Sequence, residues 1–581
     1  MMCSIPGMEN AGCVFLFGYN PSASHPIVAR RIVRAKEKGA KIIVADPRRI
    51  ETARIADLYL PIKNGCNIAF LNALANCIVN DGYADKDFIE AHTNGYEQWW
   101  ETIKKYTPES VQDITGISPA DMHRAAEMYA TAEPSAIIGY GMGVCQQRQN
   151  LKTVHTLAAV ACVAGQIGKP NSGLAPVRGQ NNVQGSCDMG CLPNMFPGYQ
   201  KVTDPAMREK FAKAWGVPVE KLSDHEGYKL TDMVHLANEG TLHCFYNYGE
   251  DPVQTEPDSQ GTIEALKKLD LFICEDIFMT QTTMYADVIL PGTSWGEHEG
   301  VFTASDRTFQ HFNAAVPPKG ECRHDWQIIS DLSTRMGYPM HYDNTKQIWD
   351  EMRQLCPNFY GATYEKMEGT GHCEWPIPTL EHQGTADLFP GGHFNKPDGR
   401  AVLIAHDWEH PTEMPDEEYP LVLCTVREVG HYSCRSMTGN CKALSLLADE
   451  PGYVHMNPAD ARARGIRDGE IVRIWSRRGS VYSRADVSDR INKGAVYMTY
   501  QWWIGRCNSL TLHAVDDVSH TPEDKFSACQ MERVADQQWA ERHVAQEYAD
   551  LKARLAKEAS AQDVEPAVAF SASQEPDRIL V

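Results

Sequence analysis

Apolar residues fall in short runs closed by glycine, proline and polar turns. The first is V-F-L-F, Val14 to Phe17, which breaks at Gly18-Tyr19-Asn20-Pro21. A stretch with helical spacing follows, then K-I-I-V-A ending in Asp46, then Thr52 and A-D-L-Y-L-P with Asp57 and Pro61. Continuous apolar runs of four or five residues between turn signals read as strands buried on both faces. The plan returns farther along. C-F-Y-N-Y leads to Gly249-Glu250-Asp251-Pro252, a helical stretch, L-F-I-C-E ending in Asp276, then Thr282-Thr283 and A-D-V-I-L-P with Asp287 and Pro291. Asp46 to Asp57 and Asp276 to Asp287 are both 11 positions, while Pro21 to Asp46 is 25 against 24 from Pro252 to Asp276.

Strand–loop–helix–strand–acid is the half-unit of a doubly wound parallel sheet, in which ligands sit at the carboxyl ends of strands. Two such units are predicted. Gly18 lets backbone approach a phosphate, and Asn20 or Asp251 can bond a base or sugar. Asp46, or Glu275 with Asp276, suits a ribose or the N–H edge of a guanine. Arg48 can meet a diphosphate. Taken singly, each acid reads better as a helix N-cap; two matched copies suggest two matched ligands. Gly139, Gly141 and Gly143 make only G-x-G-x-G, so a standard nicotinamide-dinucleotide site is disfavoured.

From about Tyr419 the period changes. L-V-L-C-T-V, I-V-R-I-W-S, V-Y-S-R-A-D-V and G-A-V-Y-M-T-Y are short strands punctuated by glycine, which predicts a small barrel. His431, beside Tyr432 and the Ser433-Cys434 pair, has no legible nucleophile–acid partner and reads as a ligand- or backbone-bonding histidine. Trp502-Trp503 reads as core or as a cover over a flat cofactor. A helix rich in Ala, Glu, Lys and Arg runs on after about Arg542, and a disordered tail closes the chain. The expected boundaries are 1–180 and 181–294 for the two dinucleotide units, 295–415 for a segment completing the second, 416–555 for the barrel and 556–581 for the tail.

The densest chemistry lies in V-R-G-Q-N-N-V-Q-G, Val177 to Gly185, where Arg178 stands among Gln180, Asn181, Asn182 and Gln184. A guanidinium matches a carboxylate or phosphate bidentately, and amides both donate and accept. The plain alternative is a solvated polar loop. The formal net charge of -21 argues against a nucleic-acid partner. The 18 cysteines include no C-x-x-C, which disfavours local zinc or iron–sulfur sites and fits buried thiols in a reducing cytosol. W-G-E-H-E-G, around His298, has the wrong spacing for a metal helix and reads as a loop. No secretory signal and no run of about 20 apolar residues is present, so a cytoplasmic chain without membrane insertion is expected.

F-G-Y-N-P, D-P-R-R-I-E-T-A-R-I-A-D, V-R-G-Q-N-N-V-Q-G, G-E-D-P-x-Q-T, D-I-F-M-T, S-W-G-E-H-E-G-V-F-T, D-W-Q-I-I-S, T-V-R-E-V-G-H-Y-S-C-R-S-M-T-G-N and Y-Q-W-W-I-G span the chain from about Val14 to about Lys552. In these stretches the chain resembles the molybdopterin oxidoreductases that bind two pterin guanine dinucleotides, and among them the selenocysteine formate dehydrogenases. The resemblance implies an α/β fold: two Rossmann-like doubly wound domains plus a C-terminal six-stranded barrel of double-psi type. It implies oxidation of formate to carbon dioxide with two-electron transfer through molybdenum, or tungsten, held by two molybdopterin guanine dinucleotides. By motif, Arg178 resembles the family's substrate-orienting arginine, with Gln180 beside it. Gly18, Asn20, Ser24, Asp46, Arg48 and Gly65 would hold one dinucleotide. Asp251, Thr255, Glu275, Thr280 and Asp325 would hold the other. Thr425, Arg427, His431, Tyr432 and Lys525 would cap both from the barrel.

Family members also carry a four-cysteine domain for a 4Fe-4S cluster and a Sec or Cys metal ligand followed by His. Neither motif falls within these 581 residues. The expectation is a reading frame begun at the first Met after a selenocysteine codon, and a chain that by itself does not turn over formate. An iron–sulfur electron-transfer subunit or a hydrogenase complex is the implied partner. The rival readings are a non-catalytic scaffold and a relative acting on another substrate, such as nitrate.

Overall fold

A computed structural model describes residues 1–562 apart from 370 and 447–449, with the side chains of 559–562 also outside the description. The first unit is a five-stranded parallel sheet in the order Leu58–Leu60, Lys41–Ala45, Cys13–Phe17, Ala136–Tyr140, Gly173–Pro176. Every residue of Cys13–Phe17 is buried. Cys13, Phe15 and Phe17 face the core beneath the helix Asn67–Asn80, while Val14 and Leu16 face Val28 and Ile32 of the helix Pro26–Glu37. Both faces are covered, which is why this strand reads as an unbroken apolar run. Strand order reverses between Cys13–Phe17 and Ala136–Tyr140, so a crevice opens at their carboxyl ends. Gly18 and Gly143 pack backbone to backbone there. Gly143 N donates to Gly18 O at 3.2 Å, and a Cβ on Gly143 would lie 2.5 Å from that oxygen.

The second unit repeats three of these strands, in the parallel order Val288–Pro291, Leu271–Asp276, Cys244–Tyr248. The matched spacing has a physical basis. Asp57 Oδ2 accepts from Ile42 N at 2.8 Å, and Asp287 Oδ2 accepts from Phe272 N at 2.7 Å. Each acid satisfies the backbone at the start of its unit's middle strand. Gly18 N reaches Ala45 O at 2.9 Å, and Gly249 N reaches Glu275 O at 2.8 Å. Asn20 and Asp251 both precede a proline that opens a four-residue helix.

The 295–415 segment does not simply complete the second unit. Gly300–Thr303, Thr308–Phe312 and Cys373–Glu374 form a separate antiparallel sheet, and only the helix Asp325–Arg335 begins against the second unit. Farther on the chain returns to the first unit, where Ala401–Val402 pairs with Thr93–Asn94 and Trp408 Nε1 donates to Gly65 O at 2.8 Å. Its acceptors lie on that sheet's helical layer, which propensity and local pattern do not reveal.

Six strands close the barrel, in the order Leu421–Val426, Ala495–Thr499, Tyr453–Met456, Ser480–Val487, Ile471–Trp475, Ser527–Arg533. Alternate residues such as Leu421, Leu423, Val454, Met456, Val472 and Ile474 fill its interior. Trp502 and Trp503 are core. The Arg435 guanidinium lies 5.1 and 5.4 Å from their ring centroids and pairs at 2.5 Å with Glu450, whose side chain is 5% exposed. The terminal helix is Gln537–Gln562. Residues 556–562 are therefore helical rather than tail, because Ala540, Val544 and Leu551 bury one stripe of this helix against the barrel. The rest of the expected tail lies outside the described residues.

Candidate active site

The Val177–Gly185 loop begins where the strand Gly173–Pro176 leaves the carboxyl edge of the first sheet, and Val177 N still bonds Tyr140 O at 3.1 Å. Three bodies hold it. From the first unit, His25 Nε2 lies 2.5 Å from Arg178 O. From the antiparallel sheet, Ser305 Oγ accepts from Arg178 N at 3.0 Å, and Thr303 N donates to Asn182 Oδ1 at 2.9 Å. From the barrel, Ser433 Oγ accepts from Gln180 Nε2 at 2.5 Å, and Tyr432 OH accepts from Asn181 N at 2.9 Å. The solvated-loop reading fails on these contacts. Asn182, at φ 59°, turns the chain into the helix Val183–Asp188.

Arg178 is oriented through a chain of acceptors. Its Nε donates to Gln184 Oε1 at 3.3 Å, and Gln184 Nε2 donates to Asp188 Oδ1 at 2.9 Å. Asp188 is fully buried and also accepts from Tyr199 OH at 2.8 Å and Trp375 Nε1 at 2.9 Å. Burial pushes its carboxyl up to about 6, against those three hydrogen bonds and the nearby Arg178 charge. Among the described residues no carboxylate pairs with Arg178, and its Nη groups have no hydrogen-bond partner there. His25, Asp188, Tyr199, Ser305 and Trp375 are site residues that sequence reasoning missed.

At the first unit's edge, Asp46 is buried and accepts from Arg48 N at 2.9 Å; burial raises its carboxyl and Arg48 lowers it. Arg48 lies 5.7 Å from the Tyr497 ring centroid and 3.6 Å from Glu428, so it faces the barrel. Asn20 Nδ2 donates to Glu51 at 3.0 Å, and its Oδ1 is buried without a partner. Ser24 Oγ is spent on Asn20 O at 2.8 Å. Gly65, at φ 77°, packs under Pro411 and Phe526.

At the second unit's edge, Asp251 is buried and accepts from Thr282 Oγ1 at 2.6 Å; burial raises its carboxyl to about 6. Glu275 accepts from Tyr246 OH, while its Oε1 is buried and unpaired. Burial, with Asp325 nearby, pushes Glu275 up to about 7. Asp325 accepts from Tyr248 OH at 2.9 Å; a Cβ built on Gly292 would lie 2.7 Å from Asp325 Oδ1 and 3.8 Å from Glu275 Oε1, so the two carboxylates flank Gly292. Thr255 donates to Glu250 at 2.8 Å, and Thr280 exchanges hydrogen bonds with Thr283.

The barrel faces both edges. Gln254 Nε2 of the second unit reaches Tyr500 O and Trp502 O at 2.6 Å, and Gln146 Nε2 of the first reaches Asp524 Oδ2 at 2.6 Å. Lys525 Nζ bonds Thr425 O at 2.7 Å and Thr425 Oγ1 at 2.9 Å, and burial lowers its ammonium. Arg427 lies 5.4 Å from the Tyr500 ring centroid. His431 bonds Thr438 through Nδ1 at 3.0 Å, and its Nε2 is buried and unpaired. Burial, then Arg435, pushes His431 down to about 4, so it is neutral at physiological pH.

This donor set has the chemistry of a site for two purine-type dinucleotides. Buried carboxylates at both edges match guanine N–H donors, and Arg48, Arg427 and Lys525 match diphosphates. Glu275 Oε1, Asn20 Oδ1 and Asp524 Oδ1 are acceptors that the chain itself leaves unpaired. In the loop between Val288–Pro291 and Gly300–Thr303, His298 Nδ1 lies 3.1 Å from Thr293 Oγ1, and Glu297 accepts from Ser294 N at 2.8 Å.

Residues 1–335 match the molybdopterin oxidoreductase family, and 421–528 match the molybdopterin dinucleotide-binding domain. The chain belongs to the molybdopterin oxidoreductases. Within them it is similar to formate dehydrogenase H of Escherichia coli, at 54% identity over 97% of this chain and 78% of that protein. It is also similar to the F420-dependent formate dehydrogenase 1 subunit alpha of Methanococcus maripaludis, at 40% identity over 92% of this chain and 78% of that one. Acetylene hydratase from Pelobacter acetylenicus shares the fold, with TM-score 0.71 at 19% identity, over 91% of this chain and 81% of that one.

Proposed function

We propose that this chain is the catalytic subunit of a formate dehydrogenase, oxidising formate to carbon dioxide, one proton and two electrons. The observation that carries the reading is Arg178: a half-buried guanidinium without an acidic partner among the described residues, fixed where the first dinucleotide-type unit, the antiparallel sheet and the barrel meet, in a chain 54% identical to a formate dehydrogenase. Gly18, Asn20, Ser24, Asp46, Arg48 and Gly65 frame one pterin guanine dinucleotide. Asp251, Thr255, Glu275, Thr280 and Asp325 frame the other. Thr425, Arg427, His431, Tyr432 and Lys525 close over both. Ser24 and Thr255 act by shaping turns, since their hydroxyls donate to the chain, and Thr280 shapes its own turn by accepting from Thr283 N through its hydroxyl.

When bound, the molybdenum (or tungsten) bis-pterin group takes up the two electrons. The chain's part is to place the substrate. The two Arg178 Nη donors grip a planar carboxylate through charge-assisted hydrogen bonds, while Gln184 and Asp188 keep the fork from turning. Gln180 braces the loop against Ser433. Neutral His431 offers Nε2 to a ligand without adding positive charge. We place the working enzyme in the cytoplasm, delivering electrons to an iron–sulfur or hydrogenase partner; the described residues contain no helix long and apolar enough to cross a membrane.

The test uses the assembled enzyme purified anaerobically from its host. Acid hydrolysis should release two guanine nucleotides per metal, and formate should reduce a viologen dye. Arg178→Ala should lower formate kcat/KM by about a hundredfold or more with nucleotide content unchanged. Undiminished turnover in Arg178→Ala, or dye-linked nitrate reduction in place of formate oxidation, would refute the assignment.

A further inference from the structure

We propose that Cys77, Asp81 and His123 form a zinc-type divalent metal site on the first unit, at the edge of the sheet opposite the dinucleotide crevice. Cys77 and Asp81 stand one helical turn apart, at the end of the helix Asn67–Asn80 and the residue that caps it. His123 comes from the helix Pro119–Ala130, which packs alongside. The Cys77 sulfur, an Asp81 oxygen and a His123 ring nitrogen all lie within 4.8 Å of one another, and His123 Nδ1 is 2.6 Å from Asp81 Oδ2. The place in the fold is set by neighbours. Arg124 Nη2 bonds Asp57 O at 3.0 Å, and Asp85 N bonds Val163 O at 2.9 Å, both at the amino ends of the parallel strands. This separates the cluster from the site described above.

Zinc binds sulfur at about 2.3 Å and nitrogen or oxygen at about 2.0–2.2 Å, which sets shared ligand atoms about 3–4 Å apart. To hold an ion the hydrogen-bonded His123–Asp81 pair must open slightly from 2.6 Å, and any separation near the 4.8 Å limit must close by about 1 Å. Asp81 and His123 are surface side chains that can move once their hydrogen bond gives way, whereas Cys77 is the fixed, fully buried floor of the site. A mixed sulfur, nitrogen and oxygen set suits zinc or cobalt rather than magnesium or calcium, which prefer oxygen alone. Glu109, on the neighbouring helix Pro108–Thr115, adds negative charge felt at the Cys77 sulfur. Burial, then Asp81 and Glu109, pushes the Cys77 thiol up to about 12, so without a cation it stays protonated. Binding replaces the S–H bond by a metal–sulfur bond and releases one proton to solvent; no electron is transferred. A water completes four-coordination. The bound ion would staple two helices that are distant in sequence.

The experiment titrates Co2+ into the full chain freed of loosely bound metal, then displaces it with Zn2+. One equivalent of Co2+ should give a thiolate charge-transfer band and tetrahedral visible bands, with release of one proton. Cys77→Ser should abolish the charge-transfer band. His123→Gln and Asp81→Asn, surface changes that leave the fold intact, should each weaken zinc binding by about tenfold or more. The other 17 thiols contribute equally to every variant, so the comparison isolates this cluster. An unchanged band in Cys77→Ser, or unchanged zinc affinity in His123→Gln, overturns the proposal.

Discussion

Replacing Asp188 by Asn should separate the two tasks of the network behind Arg178. In the wild type, one buried carboxylate accepts from Gln184 and Tyr199 through one oxygen and from Trp375 through the other. An amide retains one acceptor oxygen and puts an N–H2 where the other was, against a donor. Leaving a buried donor unpaired costs about 1–3 kcal/mol. Ionisation works the other way. The Asp188 carboxyl, raised from 3.8 to about 6 by burial, ionises at neutral pH against a penalty of about 3 kcal/mol. The folded state holds this proton more tightly than the unfolded one. The stability that goes with it is present below about pH 4 and lost as pH rises through about 6. Asn carries no such penalty. Urea denaturation should therefore show the variant less stable by about 1–3 kcal/mol near pH 4.5 and about equal to wild type, or slightly more stable, above pH 7. Formate kcat/KM, measured by viologen reduction at pH 7.5, should fall about tenfold, because Gln184 turns its amide to meet Asn and Arg178 Nε loses its acceptor. A stability difference constant from pH 4.5 to 8, together with unchanged kcat/KM, would refute this account of the network.

The matched acids should behave alike: Asp57→Ala and Asp287→Ala each remove the acceptor of a strand N–H and should each cost about 1–2 kcal/mol in urea denaturation. The Asp57 carboxyl is held below its usual value by Lys36 and Ile42 N, despite burial, so its share of stability disappears below about pH 4 and not above. Gly143→Ala should force the Gly18 turn outward, at about 1–3 kcal/mol, and lower the guanine nucleotide released on acid hydrolysis. Arg435→Met strands the buried Glu450 carboxylate and should lower stability by about 3–5 kcal/mol, seen as a large drop in thermal midpoint.

The strands that announced themselves were apolar runs between turn signals: Lys41–Ala45 and Leu421–Val426 are buried along nearly their whole length, whereas Cys244–Tyr248 is exposed at both ends and fully buries only Asn247. Ala136–Tyr140 was hidden by its glycine, and Gly173–Pro176 by its length and closing proline. These two fix where Arg178 emerges, so the loop was legible as chemistry but not as a place. The same holds for the pairing of units: equal spacings revealed the duplication, while the Asp57 and Asp287 hydrogen bonds that explain it appear only in three dimensions. The supports of Arg178 were not legible at all. His25 is 153 positions from Arg178, and Trp375 is 187 from Asp188, and no local pattern encodes such pairings.

The loop from Arg178 to Asn182 is tied to three parts of the chain at once. That makes it a seam, and the pose of the guanidinium belongs to the assembled chain rather than to the loop. A disturbance in the antiparallel sheet or in the barrel would reach Arg178 through Thr303, Ser305, Tyr432 or Ser433 as directly as a change within the loop itself.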